Sequence, residues 1–250
     1  MKMFADRSVS AIVCLRGGYG TARLLQQLDY DAIRRHPKIL VGYSDITSLH
    51  CALLKYANLI SFHGPMLVSD FLKPRFPKYT FESFMRTLTQ PTAPGSICQN
   101  YHQQTVKVLR AGKAIGRLVG GNLSIVCATL GTPFQPSFKD AIVLLEEVDE
   151  VPYRLDRMLT HLLNAGVLQQ TRGIAIGINK NCFDPNAGKT TEYRQTVEDV
   201  FKERLLPLRI PIVTGLPFGH TRYNATLPIG SRAALDADSG DLVITEPAVT

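Results

Sequence analysis

Ser44 sits in the stretch GYSDITSLH, directly after the apolar run Ile39-Leu40-Val41 and ahead of Ile46, Leu49, Leu53, Leu54 and Ala57, which recur at helical spacing. A serine at such a strand-to-helix turn projects its hydroxyl clear of a sheet, and the N–H that follows it points toward a developing oxyanion. The positive end of the helix dipole adds to both effects. Serine is also a favoured helix N-cap, and G-x-S-x-G is absent, so the turn by itself leaves nucleophile and cap open.

A nucleophilic serine needs a base, and the base needs an orienting acid. Of the six histidines, His36 precedes a proline, His50 and His161 fall in helical patterns, and His102 lies in a polar stretch. His63 in FHGP and His220 in PFGH each follow a β-like run beside a glycine, as bases or as loop imidazoles held by backbone groups. Glu146 and Glu147 end an apolar strand, where an acid is either the solvated exit or the buried partner of an imidazolium. The loop Arg16-Gly17-Gly18-Tyr19-Gly20 has three glycines in four positions, which lets the backbone approach a ligand closely. It matches neither G-x-x-x-x-G-K-[ST] nor G-x-G-x-x-G.

These residues need elements to position them. Strands are expected at Ser10 to Leu15, Ile39 to Tyr43 and Leu59 to Phe62, with helices from Thr21 to Leu28 and from Ser44 onward. Alternation of this kind predicts a parallel sheet, in which the glycine loop and the Ser44 turn share the carboxyl ends of the strands, where ligands bind. A proline- and glycine-bearing stretch divides the chain into an N-terminal domain over 1–92, a connection over 93–104 and a C-terminal domain over 105–250. The later part predicts strands at Val106 to Leu109, Ala114 to Val119, Ala141 to Leu145, Gly173 to Ile178 and Pro211 to Thr214. Helices are expected at Leu123 to Leu130, around Leu155 to Leu163, and over Glu192 to Leu205. A terminal hairpin turns at Asp238-Ser239-Gly240.

Composition narrows the class. With 250 residues and 45% hydrophobic content the chain can bury real cores. Its five scattered cysteines follow the usage of reduced thiols, and no Cys/His spacing suits zinc, so no metal site is expected. The net charge of +7 is spread rather than gathered in a stripe, which argues against nucleic acid as a partner. No apolar run reaches the roughly 20 residues of a membrane span and no export signal is evident, so a cytoplasmic protein without membrane partners is expected.

In order along the chain, AIVCLRGGYGTARLLQQLDYD, ILVGYSDITSLHCAL, FHGPM, GRLVGGNLSIVCATLGTPF, IVLLEEVDEVPYRLDRMLTHL, GIAIG and IPIVTGLPFGHTRYNATLPIG resemble the LD-carboxypeptidases of serine peptidase family S66, the murein tetrapeptide carboxypeptidases. The resemblance spans nearly the whole chain and rests on the order and spacing of the pieces. It implies a flavodoxin-like parallel-sheet N-terminal domain, incomplete here, joined to a smaller β-rich α/β C-terminal domain. Family members begin with about sixty further residues carrying opening strands, so an unpaired sheet edge is expected near the Ser10 to Leu15 strand.

The same resemblance implies a triad of Ser44, Glu146 and His220, with Glu146 favoured over the adjacent Glu147. It implies oxyanion donors at the N–H groups of Asp45 and Gly18. On general grounds the terminal carboxylate of a peptide needs cationic partners, for which Arg16, Arg154 and Arg222 are candidates, with Tyr19 and Asn122 as candidates for contact with the rest of the peptide. The implied substrate is a murein tetrapeptide or related peptide, with no cofactor and a homodimeric state. Some members of the family instead cleave peptidyl-nucleotide antibiotics of the microcin type and confer self-immunity, and the alternative outside catalysis is a truncated, inactive ligand-binding homologue.

Overall fold

The computed structural model describes residues 1–185 and 195–250. It is a mixed α/β structure built on two sheets. The first contains β1 (Ala11–Val13), β2 (Ile39–Gly42) and β3 (Ser61–His63), all parallel. The short α1 (Lys2–Ala5) precedes it, and α2 (Tyr30–Arg35) and α3 (Thr47–Ala57) pack on it around Ile12, Ile33, Leu40 and Leu53. β1 forms one edge of this sheet, with Val13 and Leu15 exposed.

α4 (Lys78–Thr89) leads toward the second sheet. That sheet holds β4 (Gly95–Ser96), β5 (Lys107–Arg110), β6 (Lys113–Asn122), β7 (Ala141–Glu146), β8 (Gly173–Ile178) and β9 (Ile212–Gly219). Four of these, β6 to β9, run parallel in chain order at its centre. The helices α5 (Leu123–Thr129), α6 (Pro152–Asn164) and α7 (Val197–Leu205) belong to the crossovers. Then β10 (Leu227–Ile229) returns to the first sheet and pairs antiparallel with β3, before β11 (Arg232–Asp236) and β12 (Asp241–Ile244) complete the second. β4, inside the stretch read as a connection, pairs with β12.

The central strands are buried on both faces, which is why they read as continuous apolar runs. Along β7, Ile142 and Leu144 face one core with Leu118, Phe218 and Leu227, while Val143 and Leu145 face another with Leu155, Leu159 and Leu162 of α6. The two-residue period of a strand therefore sends Glu146 and Glu147 to opposite sides of the sheet.

Some elements differ from the sequence reading. The segment expected as a helix over Thr21 to Leu28 is a 3-10 helix over Thr21–Gln27, which buries only Thr21 and Leu25 and so gains little from a full α-helical face. α4 was not anticipated because its buried face is largely polar, with Tyr79, Thr80, Ser83 and Thr87. α7 starts at Val197 behind a Thr196–Asp199 capping box, and residues 192–194 of the expected helix lie outside the described residues. Strand β9 runs five residues past the expected end, through register shifts, and delivers His220 at its exit.

Candidate active site

Ser44 leaves β2 with a positive φ of 64°, a backbone conformation that costs a non-glycine residue on the order of 1 kcal/mol. The strain is held from both sides. Asp45, the next residue, is buried and accepts hydrogen bonds from the Thr21 N–H at 2.9 Å and the Thr21 hydroxyl at 2.6 Å, which ties the glycine loop to the serine turn. Behind the serine a 3-10 turn over Ser44–Ile46 runs into α3, so the positive end of that helix faces the hydroxyl. The loop comes close: a Cβ placed on Gly17 would lie 2.9 Å from Ser44 Cβ and 3.1 Å from its Oγ. Only a glycine leaves the serine this room.

His220 arrives from the other sheet. Its Nε2 is 3.1 Å from Ser44 Oγ, and its Nδ1 is 2.7 Å from Glu146 Oε2. The same carboxylate oxygen accepts the His220 backbone N–H at 3.2 Å. An ionised carboxylate only accepts, so Nδ1 carries the proton and Nε2 is left as acceptor for the serine hydroxyl. Glu146 is fully buried, whereas the His220 side chain keeps 19% exposure and can meet a ligand. The second carboxylate oxygen, Oε1, is buried with no hydrogen-bond partner among the described residues, so the carboxylate is held through Oε2, by the ring and the backbone N–H of His220.

The approach of strand to acid again requires a glycine. Gly219 has φ of 100°, and a Cβ there would fall 2.7 Å from Glu146 Oε2. Its N–H donates to Asn224 Oδ1 at 3.1 Å, which fixes the turn that presents His220. Tyr43 packs its ring edge-on at 4.9 Å from the His220 ring and reaches Asp70 with its hydroxyl at 3.4 Å. Burial, with the charges of Asp70 and Glu146 beside it, holds the Tyr43 phenol above its ordinary range.

Glu147 is spent elsewhere. Its carboxylate accepts from Asn122 Nδ2 at 2.9 Å, from Ser124 N–H and Oγ at 2.8 and 2.7 Å, and from Val148 N–H at 3.0 Å. It thus secures the start of α5 and the exit of β7. Asn122, singled out in the sequence, caps α5 through Oδ1, gives Nδ2 to Glu147, and donates its backbone N–H to Thr47 Oγ1 at 3.0 Å. That last bond joins the two sheets beside the site. Arg16 and Tyr19 stand at the rim, with Tyr19 87% exposed and Arg16 Nε near the Gly17 carbonyl at 3.4 Å. Gly18, with φ of 136°, lies in the same loop.

Sequence reasoning did not find Thr21, Tyr43, Asp70 or Asn224. Tyr43 and Asp45 flank the serine and had a positional signal; Thr21, bonded twice to Asp45, and Asn224, accepting from Gly219, act across loops that no spacing announces. The other histidine left open, His63, is fully buried against Tyr43 and Phe218, and neither ring nitrogen has a hydrogen-bond partner among the described residues. Burial, then the neighbouring His50 and His220, keep it well below the usual imidazole range. Burial also pushes every thiol up, to about 11 for Cys14 and Cys182 and about 12 for Cys51, Cys98 and Cys127. None is poised as a nucleophile. Among the described residues no cluster of His, Cys, Asp and Glu could hold a metal, and no helix is long and apolar enough to cross a membrane.

A hydroxyl bonded to a neutral imidazole that is itself oriented by a buried carboxylate is the arrangement that turns serine into a nucleophile. Comparison with known proteins identifies the family. Residues 1–64 match the LD-carboxypeptidase N-terminal domain and residues 115–235 the LD-carboxypeptidase C-terminal domain. A putative carboxypeptidase of Synechocystis sp. is 42% identical over 237 residues, covering 95% of this chain and 73% of the relative. The muramoyltetrapeptide carboxypeptidase structure from Oxalobacter formigenes superposes with a TM-score of 0.84 at 33% identity, over 98% of this chain and 82% of that one. The microcin C7 self-immunity protein of Escherichia coli superposes with a TM-score of 0.87 at 27% identity, over 100% and 79%. The chain belongs to the S66 LD-carboxypeptidase family of peptidases.

Proposed function

We propose that the chain is a serine-type LD-carboxypeptidase that releases terminal D-alanine from murein tetrapeptide. Ser44 is the nucleophile, His220 the general base and then acid, and Glu146 the acid that orients the imidazole and stabilises its cation. The observation that carries this reading is the unbroken chain of hydrogen bonds, 3.1 Å from Ser44 to His220 and 2.7 Å from His220 to Glu146, closed across two sheets on a strained serine turn. Ser44 Oγ attacks the carbonyl of the diamino acid as Nε2 takes its proton. The N–H groups of Asp45 and Gly18 receive the oxyanion. Collapse expels the amine of D-alanine, protonated by His220, and water attacks the resulting ester by the same route in reverse. None of these steps calls for a metal or an organic cofactor. Arg16 and Tyr19, on the rim, face the arriving peptide, and Asn122 holds the floor beside it. Such recycling of cell-wall peptides is a cytoplasmic task.

The test is mass spectrometry of L-Ala-γ-D-Glu-meso-diaminopimelate-D-Ala after incubation with the chain and with Ser44→Ala. Loss of D-alanine with the unmodified chain alone is expected. Absence of cleavage by a folded, unmodified chain overturns the reading. The superposition on the self-immunity protein supports a second reading, hydrolysis of a peptidyl-nucleotide, and the protein of that name has been solved with aspartyl sulfamoyl adenosine. Cleavage of a peptidyl-nucleotide, with the tetrapeptide left intact, would select it.

A further inference from the structure

A pocket of about 270 Å³ opens beside the reacting groups, walled by Tyr43, Asp70, Lys73, Arg75, Lys180, His220 and Arg222 among others. Four of these side chains are cationic and one is acidic. Asp70 is already engaged: Oδ2 accepts the Met66 N–H at 2.9 Å and Oδ1 the Tyr43 hydroxyl. Among the described residues no carboxylate lies within ion-pair distance of Lys73, Arg75, Lys180 or Arg222, so their four charges face the hollow without a counter-charge in contact. Like charges gathered at one hollow repel one another, and an entering anion relieves that repulsion.

The four cations stand on three separately anchored segments. Arg75 has φ of 58° between Pro74 and Pro77, and the Phe71 and Phe76 rings, 4.7 Å apart, clamp that turn. Arg222 Nη2 donates to the Arg75 carbonyl at 2.5 Å, and the Arg222 carbonyl accepts from Thr80 Oγ1 at 3.0 Å. Lys180 is fixed through its backbone, its N–H to the Glu147 carbonyl at 3.0 Å and its carbonyl to the Asp149 N–H at 2.9 Å. A strained arginine held by two prolines and a neighbouring guanidinium is the kind of backbone outlier that marks a ligand clamp.

The pocket meets the reacting groups through His220 and Tyr43 and is not lined by the Gly17 to Gly20 loop. His220 is the residue that must protonate the departing amine, so whatever is bonded to that nitrogen leaves on this side. The volume falls just below the usual range for drug-sized ligands and suits one small residue. We infer that this pocket receives the anion carried by the leaving residue, the free α-carboxylate next to the scissile amide, with Arg222 and Lys180 as its principal partners and Lys73 and Arg75 in support. The inference rests on the carboxypeptidase reading and gives it a physical basis for acting at chain ends: an internal peptide bond offers a neutral amide where a terminal residue offers a charge. A phosphoryl group beside the scissile nitrogen of a peptidyl-nucleotide shares this chemistry.

The experiment uses the uncleaving Ser44→Ala chain and calorimetry at low salt, with the tetrapeptide ending in D-alanine, the same peptide ending in D-alaninamide, and aspartyl sulfamoyl adenosine. The acid is expected to bind about 30-fold more tightly than the amide, the worth of a charge-assisted contact. That ratio is expected to fall below about 3-fold when Arg222→Gln and Lys180→Gln are added, with circular dichroism showing the variant folded. Turnover of both peptides is measured in parallel with the unmodified chain. Cleavage of acid and amide alike, with equal affinities, overturns the carboxylate pocket and leaves the carboxypeptidase reading standing. A ratio that survives the two substitutions overturns the assignment to Arg222 and Lys180. Cleavage of neither peptide, with affinity for the sulfamoyl adenosine that depends on Arg222 and Lys180, overturns the carboxylate in favour of the nucleotide-borne anion.

Discussion

Two serine–histidine pairs lie within this chain. Ser44 and His220 meet at the cleft, 3.1 Å apart; Ser61 and His50 meet inside the first sheet, 2.7 Å apart. In each the second ring nitrogen has an acceptor, Glu146 for His220 and the Gly42 carbonyl, at 2.8 Å, for His50. Hydrogen bonding alone would not tell them apart. What differs is the rest: Ser61 is in regular strand and, like His50, fully buried, with a neutral carbonyl where the cleft has a carboxylate. Burial drives His50 down to about 4, so it resists the charge that a base must accept. A serine–histidine contact is chemistry only where a strained turn, a carboxylate and solvent access come with it.

Exchanging the serines should separate the two most sharply. Ser44→Ala is expected to lose on the order of 10⁶ in kcat with the fold intact, read as D-alanine release per folded molecule. Glu146→Gln should follow, with about 10⁴ lost from kcat, because an amide can donate toward Nδ1 and favours the wrong tautomer. A variant retaining a tenth of wild-type turnover would remove Glu146 from its role.

Acid should expose the inner pair. The folded chain keeps His50 neutral down to about pH 4, while the unfolded chain takes up its proton near 6.5. Between those values the unfolded state binds more protons, so stability is full above pH 6.5 and falls as the pH drops toward 4. His63, shifted the same way, adds to the loss. His50 alone should make the stabilities at pH 7.5 and 4.5, read from urea denaturation, differ by about 3 kcal/mol, and His63 widens that gap; identical midpoints would show that neither imidazole is held neutral. Glu147→Gln, beside the reacting acid but facing α5, should cost about 2 kcal/mol of stability and leave kcat per folded molecule nearly unchanged. The smallest effect belongs to Ser61→Ala, about 1 kcal/mol by thermal melting and less than about 3-fold in kcat. Loss of activity there would mean that the inner pair feeds the outer one.

Much of this was legible in the residue pattern. The run Ile39 to Val41 followed by helical spacing from Ile46 fixes Ser44 at a strand exit, and the unbroken apolar stretch before Glu146 marks a central parallel strand. The period of that strand implies that Glu146 and Glu147 part company, but which side looks toward the serine depends on how two sheets meet, a contact between residues 74 and 176 positions apart in sequence. The cationic pocket was beyond reach for the same reason. Arg222 stood out only as one arginine among several, and Lys73, Arg75 and Lys180 gain meaning when three distant turns converge. α4 escaped because most of the groups it buries carry hydroxyls, two of which, on Thr80 and Ser83, accept from the Asn224 and Thr226 N–H groups, so its buried face does not read as an apolar stripe.

The return of β10 to the first sheet has a consequence for how the protein is made. Ser44 is made well before the strand that pairs with the far edge of its sheet, Leu227–Ile229, and the imidazole that bonds it lies seven residues before that strand begins. During synthesis Ser44 waits through 176 residues of growth without its histidine partner or a finished scaffold. Synthesis from Leu227 to Ile229 closes the sheet only after His220 is made, so a chain terminated between the Ser44 and His220 turns carries Ser44 without the imidazole it bonds.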